Sequence, residues 1–250
     1  MSIAEKQEIL SANNVTIAEN ISKVFNAGYE KGKAEGGGGE DLFQYATNGA
    51  HLFASATFPD YYELTINMPN VIESLERVVR YAKGLRKVTL KGNTANKAIS
   101  FQYAFQGDSN SLLEIVDATG WGNGGLKPSY ANNMFSNPKL HTVLGEIDFS
   151  ECVNVNSTFS SASTLVNIRF KAGTLSRSID TLSSCKALSK ESLTSIVRGL
   201  SDTASGQTLT LSKTAVNKAF ETSEGANNGS ESTEWAALVG EKSNWTISLI

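Results

Sequence analysis

The sequence predicts a mixed α/β fold: a leucine-rich-repeat solenoid with short strands, an N-terminal helical anchor and an α/β C-terminal cap. Three observations predict it. A short apolar motif recurs at near-constant spacing, and an aromatic residue precedes each copy. Only 4 of the 250 residues are proline, whereas glycine reaches 21. Short strands joined by turns rich in serine, asparagine and glycine would give this composition.

The recurring motif is a leucine followed three residues later by valine or isoleucine. Its copies start 28, 27 and 25 residues apart, a spacing typical of leucine-rich repeats. Because one coil cannot bury its own apolar face, the copies must stack with both motif positions inward. The aromatic residues that would close the core from the other side are Tyr81, Phe105, Phe135 and Phe159. The predicted repeat core is Leu85, Val88, Leu113, Val116, Phe135, Leu140, Val143, Phe159, Leu165 and Ile168.

The repeat array is assigned to residues 81–188, with a degenerate fifth unit at its end. Residues 41–80 would form an N-terminal cap region that covers the first exposed core face, and they include an alternating strand at 64–68. Residues 189–250 are interpreted as the C-terminal cap. Its predicted elements are a helix N-capped by Ser189, a strand at 208–211, helices at 213–221 and 234–239, and a strand at 245–249.

Residues 1–35 have the pattern of a helical anchor or oligomerisation segment. A capping box formed by Thr16 and Glu19 opens a helix with one apolar stripe, which consists of Ile17, Ile21, Val24 and Phe25. A single stripe on a short helix is not stable alone in water, so it must pack on the body, on copies of itself or on another protein. The glycine-rich joint at residues 36–40 favours the last two.

Charge and composition argue against several function classes. A net charge of −3 and a pI near 5.5 do not suit nucleic-acid binding, which needs a clustered basic surface. We find no apolar run of the roughly 18 residues that a membrane span needs. The first residues lack the positively charged region of a secretory signal, so none is expected. Cys152 and Cys185 are too few for a disulfide framework and are interpreted as inward-facing free thiols.

Side chains that could carry chemistry are few and scattered. His51 and His141 lie 90 residues apart without a second ligand at metal spacing, so neither a metal nor a cofactor is expected. Asp117, Glu146 and Asp148 could supply the carboxylate pair of a glycosidase. Glu146 and Asp148 would then share one strand face about 7 Å apart. Acidic residues on strand faces are usually only solvated, so no catalytic residue is assigned.

The glycine-rich segment 120–125 is the most conspicuous short motif. It lacks the following helix and the Lys-Ser/Thr pair of a phosphate-binding loop, so a long turn within one repeat is favoured. Trp121 is expected to be exposed on that turn, where it could mark a contact site.

One basic cluster is visible, in which Arg77, Arg80 and Lys83 are expected on one side of a helix, with Val78 and Val79 inward. A solvated helix exterior is the favoured interpretation of this cluster. Electrostatic contact with an acidic partner surface is the alternative.

Several segments together suggest a known family. They are residues 138–150, the Asn-x-x-Phe-Ser segments at 132–136 and 156–160, the tail segments at 192–197, 206–211 and 245–248, and the amino-terminal segment 16–33. In these segments the chain resembles the BspA-like leucine-rich repeats, in the form found in phage and prophage proteins of Gram-positive bacteria. The resemblance implies a virion structural or host-facing protein and supplies no catalytic or binding positions.

The expected function is therefore that of a non-enzymatic bacteriophage virion structural protein, a tail, baseplate or head-fibre component assembled in the host cytoplasm. Residues 1–35 would attach it to other virion proteins or self-associate, with a homotrimer favoured, and the repeat body would face a host-surface glycan or protein. Two alternatives stay open: a bacterial cell-surface leucine-rich-repeat adhesin, and a polysaccharide-cleaving enzyme that uses exposed acids. Nucleic-acid binding and membrane insertion are not expected.

Overall fold

The structure, a computed structural model, describes residues 49–68, 70, 72–221 and 229–250. The predicted anchor, Ile17, Ile21, Val24 and Phe25 included, and the glycine joint lie outside the described residues. Within the described ranges, no helix is long and apolar enough to cross a membrane. The strands are β1 (Thr57–Met68), β2 (Lys83–Gly92), β3 (Ile99–Ser100), β4 (Ile115–Trp121), β5 (Gly125–Leu126), β6 (Pro128–Tyr130), β7 (Thr142–Ile147), β8 (Asn167–Phe170), β9 (Gln207–Leu211) and β10 (Trp245–Leu249). The α-helices are α1 (Lys190–Gly199), α2 (Lys213–Ala219) and α3 (Thr233–Gly240), and two 3-10 turns lie at Thr181–Ser184 and Gly229–Glu231.

The chain winds into a parallel β-solenoid of about four turns. Strands β1, β2, β4, β7 and β8 lie side by side in one sheet, and every neighbouring pair is parallel. Parallel neighbours require the chain to return to its starting edge between strands, so the five strands are separated by four turns of the chain and each lies in its own coil. The short strand β5 continues the coil of β4 and pairs with the end of β7.

The strand register forms one inward column of aliphatic side chains. Its members, one from each coil, are Leu64, Val88, Val116, Val143 and Ile168. The strand pattern explains why: in β2, Val88 and Leu90 are fully buried, while Lys87 and Thr89, which alternate with them, are partly exposed. All ten residues assigned to the repeat core are buried, with at most 3% of any of them exposed.

A second column, made of phenylalanine rings, fills the opposite side of the solenoid. The ring of Phe135 stacks between those of Phe105 and Phe159, with centroid distances of 5.6 Å to each. Backbone bonds between coils hold this stack, because Phe105 N donates to the Met134 carbonyl at 3.0 Å and Phe135 N to the Thr158 carbonyl at 2.8 Å. The rings therefore align through the same turn geometry in successive coils.

The predicted aromatic series was wrong at Tyr81. The residue that occupies the equivalent turn position is Val79, whose N–H donates to the Ala104 carbonyl at 3.1 Å. Tyr81 lies two residues later in the left-handed region, at φ 56°, and is half-exposed on the outer surface. At a residue with positive φ the backbone changes direction, so the spacing of residues along the sequence does not predict which way its side chain points.

Residues 49–80, part of the predicted N-terminal cap region, have the form of a further coil. Strand β1 pairs with β2 in parallel, and the preceding turn bonds to the next coil through Gly49 N to the Ser74 carbonyl and Phe53 N to the Val78 carbonyl. The basic run was wrongly predicted as a helix, since Arg77 is also in the left-handed region at φ 53° and Lys83 already belongs to β2. Val78 and Val79 are nevertheless buried, as expected.

Serine hydroxyls of helix α1 accept hydrogen bonds from the backbone of β8, the last strand of the sheet. Ile168 N donates to Ser192 Oγ and Phe170 N to Ser195 Oγ, both at 3.0 Å. Residues three apart on a helix share a face, so the two serines reach alternate amides of β8. They replace the hydrogen bonds that another strand would supply and so cover the sheet edge.

The helices and strands expected after Ser189 are confirmed in the described ranges 189–221 and 229–250. Ser189 caps α1 by accepting a hydrogen bond from Ser192 N at 3.2 Å. The two later helices and the two strands occur close to their predicted positions, and β9 and β10 pair in parallel. The buried Lys242 ties this region together, since its Nζ donates to the Leu200 carbonyl at 2.7 Å and forms an ion pair with Asp202.

Candidate partner-binding face

Two arginines and two tyrosines gather on the outer surface of the turn side of the solenoid. We call Arg77, Arg80, Tyr81 and Tyr103 the Arg–Tyr cluster. Coil-to-coil backbone bonds bring them together, because Arg77 N donates to the Gln102 carbonyl at 2.9 Å and Tyr81 N to the Gln106 carbonyl at 2.8 Å. The four side chains come from two neighbouring coils held in fixed register.

Within the cluster, the guanidinium groups lie over the tyrosine rings. The Cζ atom of Arg77 lies 5.1 Å from the ring centroid of Tyr103, and that of Arg80 lies 4.9 Å from the same centroid. Arg80 also lies 4.5 Å from the ring centroid of its neighbour Tyr81. These distances fall within the range in which a cation is attracted to the face of an aromatic ring. Tyr103 therefore receives both cations, and its ring fixes their spacing.

Hydrogen bonds restrict both arginines further. Arg80 Nε donates to Gln106 Oε1 at 2.7 Å, and Arg77 Nη1 lies 3.2 Å from His51 Nε2 in the preceding coil. Arg77 Nη1 also lies 3.3 Å from a carboxylate oxygen of Glu76. The two guanidinium groups and the Glu76 carboxylate together carry a formal charge of +1. The face can therefore attract a negatively charged partner.

The composition of the cluster is typical of residues that dominate binding energy at interfaces. Arginine and tyrosine are enriched among such residues because they bury a large area while retaining hydrogen-bonding groups. All four side chains are half-buried, so each keeps part of its surface for a partner. Because their rotamers are already held by stacking and hydrogen bonds, binding would cost little side-chain entropy.

The sequence predicted only part of this cluster. Arg77 and Arg80 do lie together, but Lys83 leaves them and pairs with Thr57 in the sheet. Tyr103 and Gln106 were missed, although each lies one coil, or 26 residues, beyond the arginine that it contacts. That spacing could have identified them once the length of this coil was known.

The acidic residues considered for catalysis do not form a carboxylate pair. Asp117 forms an ion pair with Lys87 at 3.1 Å and Asp148 with Lys171 at 2.8 Å. The predicted shared face of Glu146 and Asp148 was wrong, because β7 ends at Ile147; Glu146 is exposed, whereas Asp148 is buried.

The ion pairs also set how these acids ionise. Burial alone would raise the pKa of Asp148, but hydrogen bonds from Lys171 and Ser150 outweigh it and hold the pKa below its ordinary value. For Asp117, burial is likewise outweighed by hydrogen bonds from Thr119 and Lys87, and its pKa is lowered. Both groups therefore remain ionised partners of lysines at neutral pH.

Trp121 is not the exposed contact residue that the sequence suggested. It is fully buried and packs edge-on against Phe101, with ring centroids 6.1 Å apart. The glycine segment beside it forms a turn, in which Gly122 and Gly124 have positive φ. Strict alternation after Val116 and Ala118 would direct Trp121 outward. A register shift between β2 and β4 leaves Thr119 and Gly120 both exposed, and it is this irregularity that turns the indole inward.

The remaining candidate ligands are dispersed. His141 is exposed and its Nδ1 lies 3.0 Å from Thr142 Oγ1. Cys152 and Cys185 are free and buried, as expected, and burial raises the pKa of the Cys185 thiol to about 12. In the part of the chain that the structure describes, no three His, Cys, Asp or Glu residues are placed to hold a metal ion.

Comparison of the chain with models of protein families, with curated proteins and with solved structures found no match. The Arg–Tyr cluster and the other surfaces of the solenoid are therefore the observations from which a function can be inferred. In the cluster, both guanidinium groups are stacked on aromatic rings.

Proposed function

We propose that the chain is a non-enzymatic binding scaffold in which the solenoid holds the Arg–Tyr cluster rigid against a partner. The observation that carries this proposal is the placement of two guanidinium groups over tyrosine rings from two adjacent coils. A continuous buried core beneath the cluster supports the same proposal, because it keeps the turns from moving when a partner binds.

The partner that suits this face carries acidic and planar groups. Arg80 uses Nε on Gln106, and its Nη2 lies 3.3 Å from the Tyr81 hydroxyl. Arg77 already binds one carboxylate, that of Glu76, through Nη1. A partner carboxylate could add to or replace that ion pair, and the exposed parts of the tyrosine rings would contact apolar surface around it.

A finer proposal is that the solenoid is of the leucine-rich-repeat type. The second described coil supports it, since Leu85, Val88, Leu90 and Asn93 fit the spacing Leu-x-x-Leu-x-Leu-x-x-Asn. Asn93 is fully buried, and its side chain exchanges two hydrogen bonds with the backbone of Lys97 at 2.9 and 3.1 Å. An asparagine in this position satisfies the backbone where the chain leaves the strand.

We further propose that this scaffold is a bacteriophage virion structural protein, with the solenoid facing a host-surface protein or glycan. Residues 1–35 would join it to other virion proteins or to copies of itself, with a homotrimer favoured. What supports the proposal is the resemblance of residues 132–160 to BspA-like repeats of phage proteins, together with the rigid face described above. A bacterial surface adhesin is the alternative that also uses such a face.

The test is a phage that carries Arg77→Ala and Arg80→Ala in this chain. We expect antibodies against the chain to label the purified particles, and the double variant to adsorb to host cells at least about tenfold more slowly. The physical reason is that the double variant removes three cation–aromatic contacts and both positive charges of the cluster. Immunogold microscopy and adsorption kinetics measure the two outcomes.

The matched control is Lys186→Ala with Lys213→Ala, which removes the same charge at two exposed positions away from the cluster. We expect this control to adsorb like the parent phage. Normal adsorption of the arginine variant, with the protein still on the particle, would contradict the role of the cluster. Label on uninfected cell walls and none on particles would contradict the virion proposal and support an adhesin.

A further inference from the structure

A groove of about 560 Å³ opens beside the last coils of the solenoid, away from the Arg–Tyr cluster. Its volume is in the range of sites that hold one or two sugar rings or another small molecule. Eight residues form it, contributed by two coils and by the start of β9. We call it the lateral groove, and its lining is Val153, Asn154, Val155, Asn156, Ser176, Arg177, Ser178 and Gln207.

Hydrogen bonds hold the polar walls of the lateral groove in place. Gln207 Oε1 accepts from both the backbone N–H and the hydroxyl of Ser178, at 2.8 and 2.9 Å. Arg177 Nε donates to the Cys152 carbonyl at 3.0 Å, which ties the guanidinium to the neighbouring coil. Asn154 Oδ1 accepts from Asn156 N at 2.9 Å. The side chains are thus oriented before any ligand arrives.

The same bonds use up acceptors and leave donors. The side-chain oxygens of Gln207 and Asn154 already accept hydrogen bonds within the protein. Their NH₂ groups have no hydrogen-bond partner in the described ranges. The terminal nitrogens of Arg177 are likewise unbonded to any described residue, because only Nε is engaged. The groove therefore presents mainly N–H donors to a ligand.

The charge of the lateral groove is positive. None of its eight lining residues is acidic, and no described carboxylate forms an ion pair with Arg177. A guanidinium with two free terminal nitrogens matches the two oxygens of a carboxylate or phosphate. The groove is thus suited to a single anionic group surrounded by hydrogen-bond acceptors.

The lateral groove also offers one exposed apolar side chain, that of Val153. Val153 is 48% exposed at the groove, where it offers an apolar surface beside the amides. A sugar ring presents C–H groups on its faces and hydroxyl oxygens at its edge, so it can contact a valine and several N–H donors at once. We infer that the lateral groove binds a saccharide unit that carries a negatively charged oxyacid group, with Arg177 on the anion and the amides on the hydroxyls.

This inference adds a second site to the proposed scaffold and does not depend on the Arg–Tyr cluster. The two sites share no residue, so loss of binding at one leaves the other intact. The experiment below uses the purified full chain and small ligands, and its result is therefore separate from the adsorption of phage particles.

Ligand-observed NMR and calorimetric titration with five probes test the inference. The acidic probes are trigalacturonate, 3′-sialyllactose and glucose 6-phosphate, and the neutral probes are maltotriose and lactose. We expect at least one acidic probe to bind and the neutral probes to bind at least about tenfold more weakly, because they lack the anion that Arg177 recognises. Binding of the carboxylate probes or of the phosphate probe identifies which oxyacid the groove accepts.

Variants then localise the binding. Arg177→Ala is expected to weaken the acidic probe at least about tenfold, and Asn156→Ala, which removes one exposed donor, to weaken it several-fold. Arg169→Ala, at an exposed arginine on the sheet face, is the matched control and is expected to bind like the parent chain. No binding of any acidic probe, equal binding of the neutral probes, or unchanged binding by Arg177→Ala would each overturn the inference.

Discussion

Replacing Phe135 by alanine should lower the free energy of unfolding by about 3–5 kcal/mol. Phe135 is fully buried, and its ring lies between Phe105 and Phe159 at 5.6 Å from each. Truncation would remove both ring contacts and leave a cavity in the middle of the phenylalanine column. Backbone bonds hold the adjacent coils at fixed spacing, so they cannot close together to fill the space.

Equilibrium unfolding in urea, followed by circular dichroism, measures this loss. The control is Leu144→Ala, because Leu144 also lies in the array but is 40% exposed, and we expect a change below about 1 kcal/mol. A Phe135→Ala protein that unfolds at the same urea concentration as the Leu144→Ala protein would mean that the ring stack does not stabilise the solenoid.

A second large effect is expected from Gly92→Ala, at the end of β2. Gly92 adopts φ +102°, and a Cβ atom there would lie 1.8 Å from the Met68 carbonyl oxygen of the neighbouring strand. Gly92 and Met68 are paired in the sheet, so relieving the clash would separate the ends of β1 and β2. We expect a loss of more than about 3 kcal/mol in the free energy of unfolding, or an insoluble protein.

The matched control for this substitution is Gly173→Ala. Gly173 also has a positive φ, +71°, but a Cβ atom would meet nothing within 4 Å. Its cost should therefore be limited to the strain of the left-handed conformation, about 1–2 kcal/mol. Soluble yield and urea midpoints compare the two variants, and equal losses would show that the contact with β1 is absent.

The sequence was sufficient to predict the inward columns of the fold. Leucine and valine spaced by three residues, repeated every 25–28 residues, identified positions such as Val116 and Val143 that pair across adjacent strands. The period is visible because each coil must place an apolar residue on the same core. It missed the described coil that contains β1, in which Leu64 pairs with Val88 but a tyrosine, Tyr62, pairs with the motif residue Leu85.

The turn side could not be predicted in the same way. Its side-chain directions depend on single residues in the left-handed region, such as Arg77, Tyr81 and Tyr103, and non-glycine residues there carry no distinctive sequence pattern. Assuming helical spacing along residues 77–83 therefore placed Lys83 beside the two arginines and did not identify Tyr103 as their neighbour. The lateral groove was missed for a related reason, since Asn156, Arg177 and Gln207 meet only when three successive layers are stacked.

The measurement that tests the solenoid most directly is disulfide trapping between coils. Thr142 and Asn167 are paired in adjacent strands, and Asn167 Nδ2 donates to Thr142 Oγ1 at 3.3 Å. Cysteines at these two positions would have Cα atoms about 5 Å apart, within disulfide range. Ile115 pairs with Thr142 on its other side, so a cysteine pair at 115 and 167 would be roughly 9.5 Å apart, too far to bridge.

The native thiols should not interfere, because Cys152 and Cys185 are buried and burial raises the pKa of both. Under native conditions, mass spectrometry of the oxidised full chain should find nearly complete cross-linking for the 142/167 pair and little for the 115/167 pair. In urea the two pairs should no longer differ. Equal cross-linking of both pairs in the folded protein, or none between 142 and 167, would contradict the parallel solenoid.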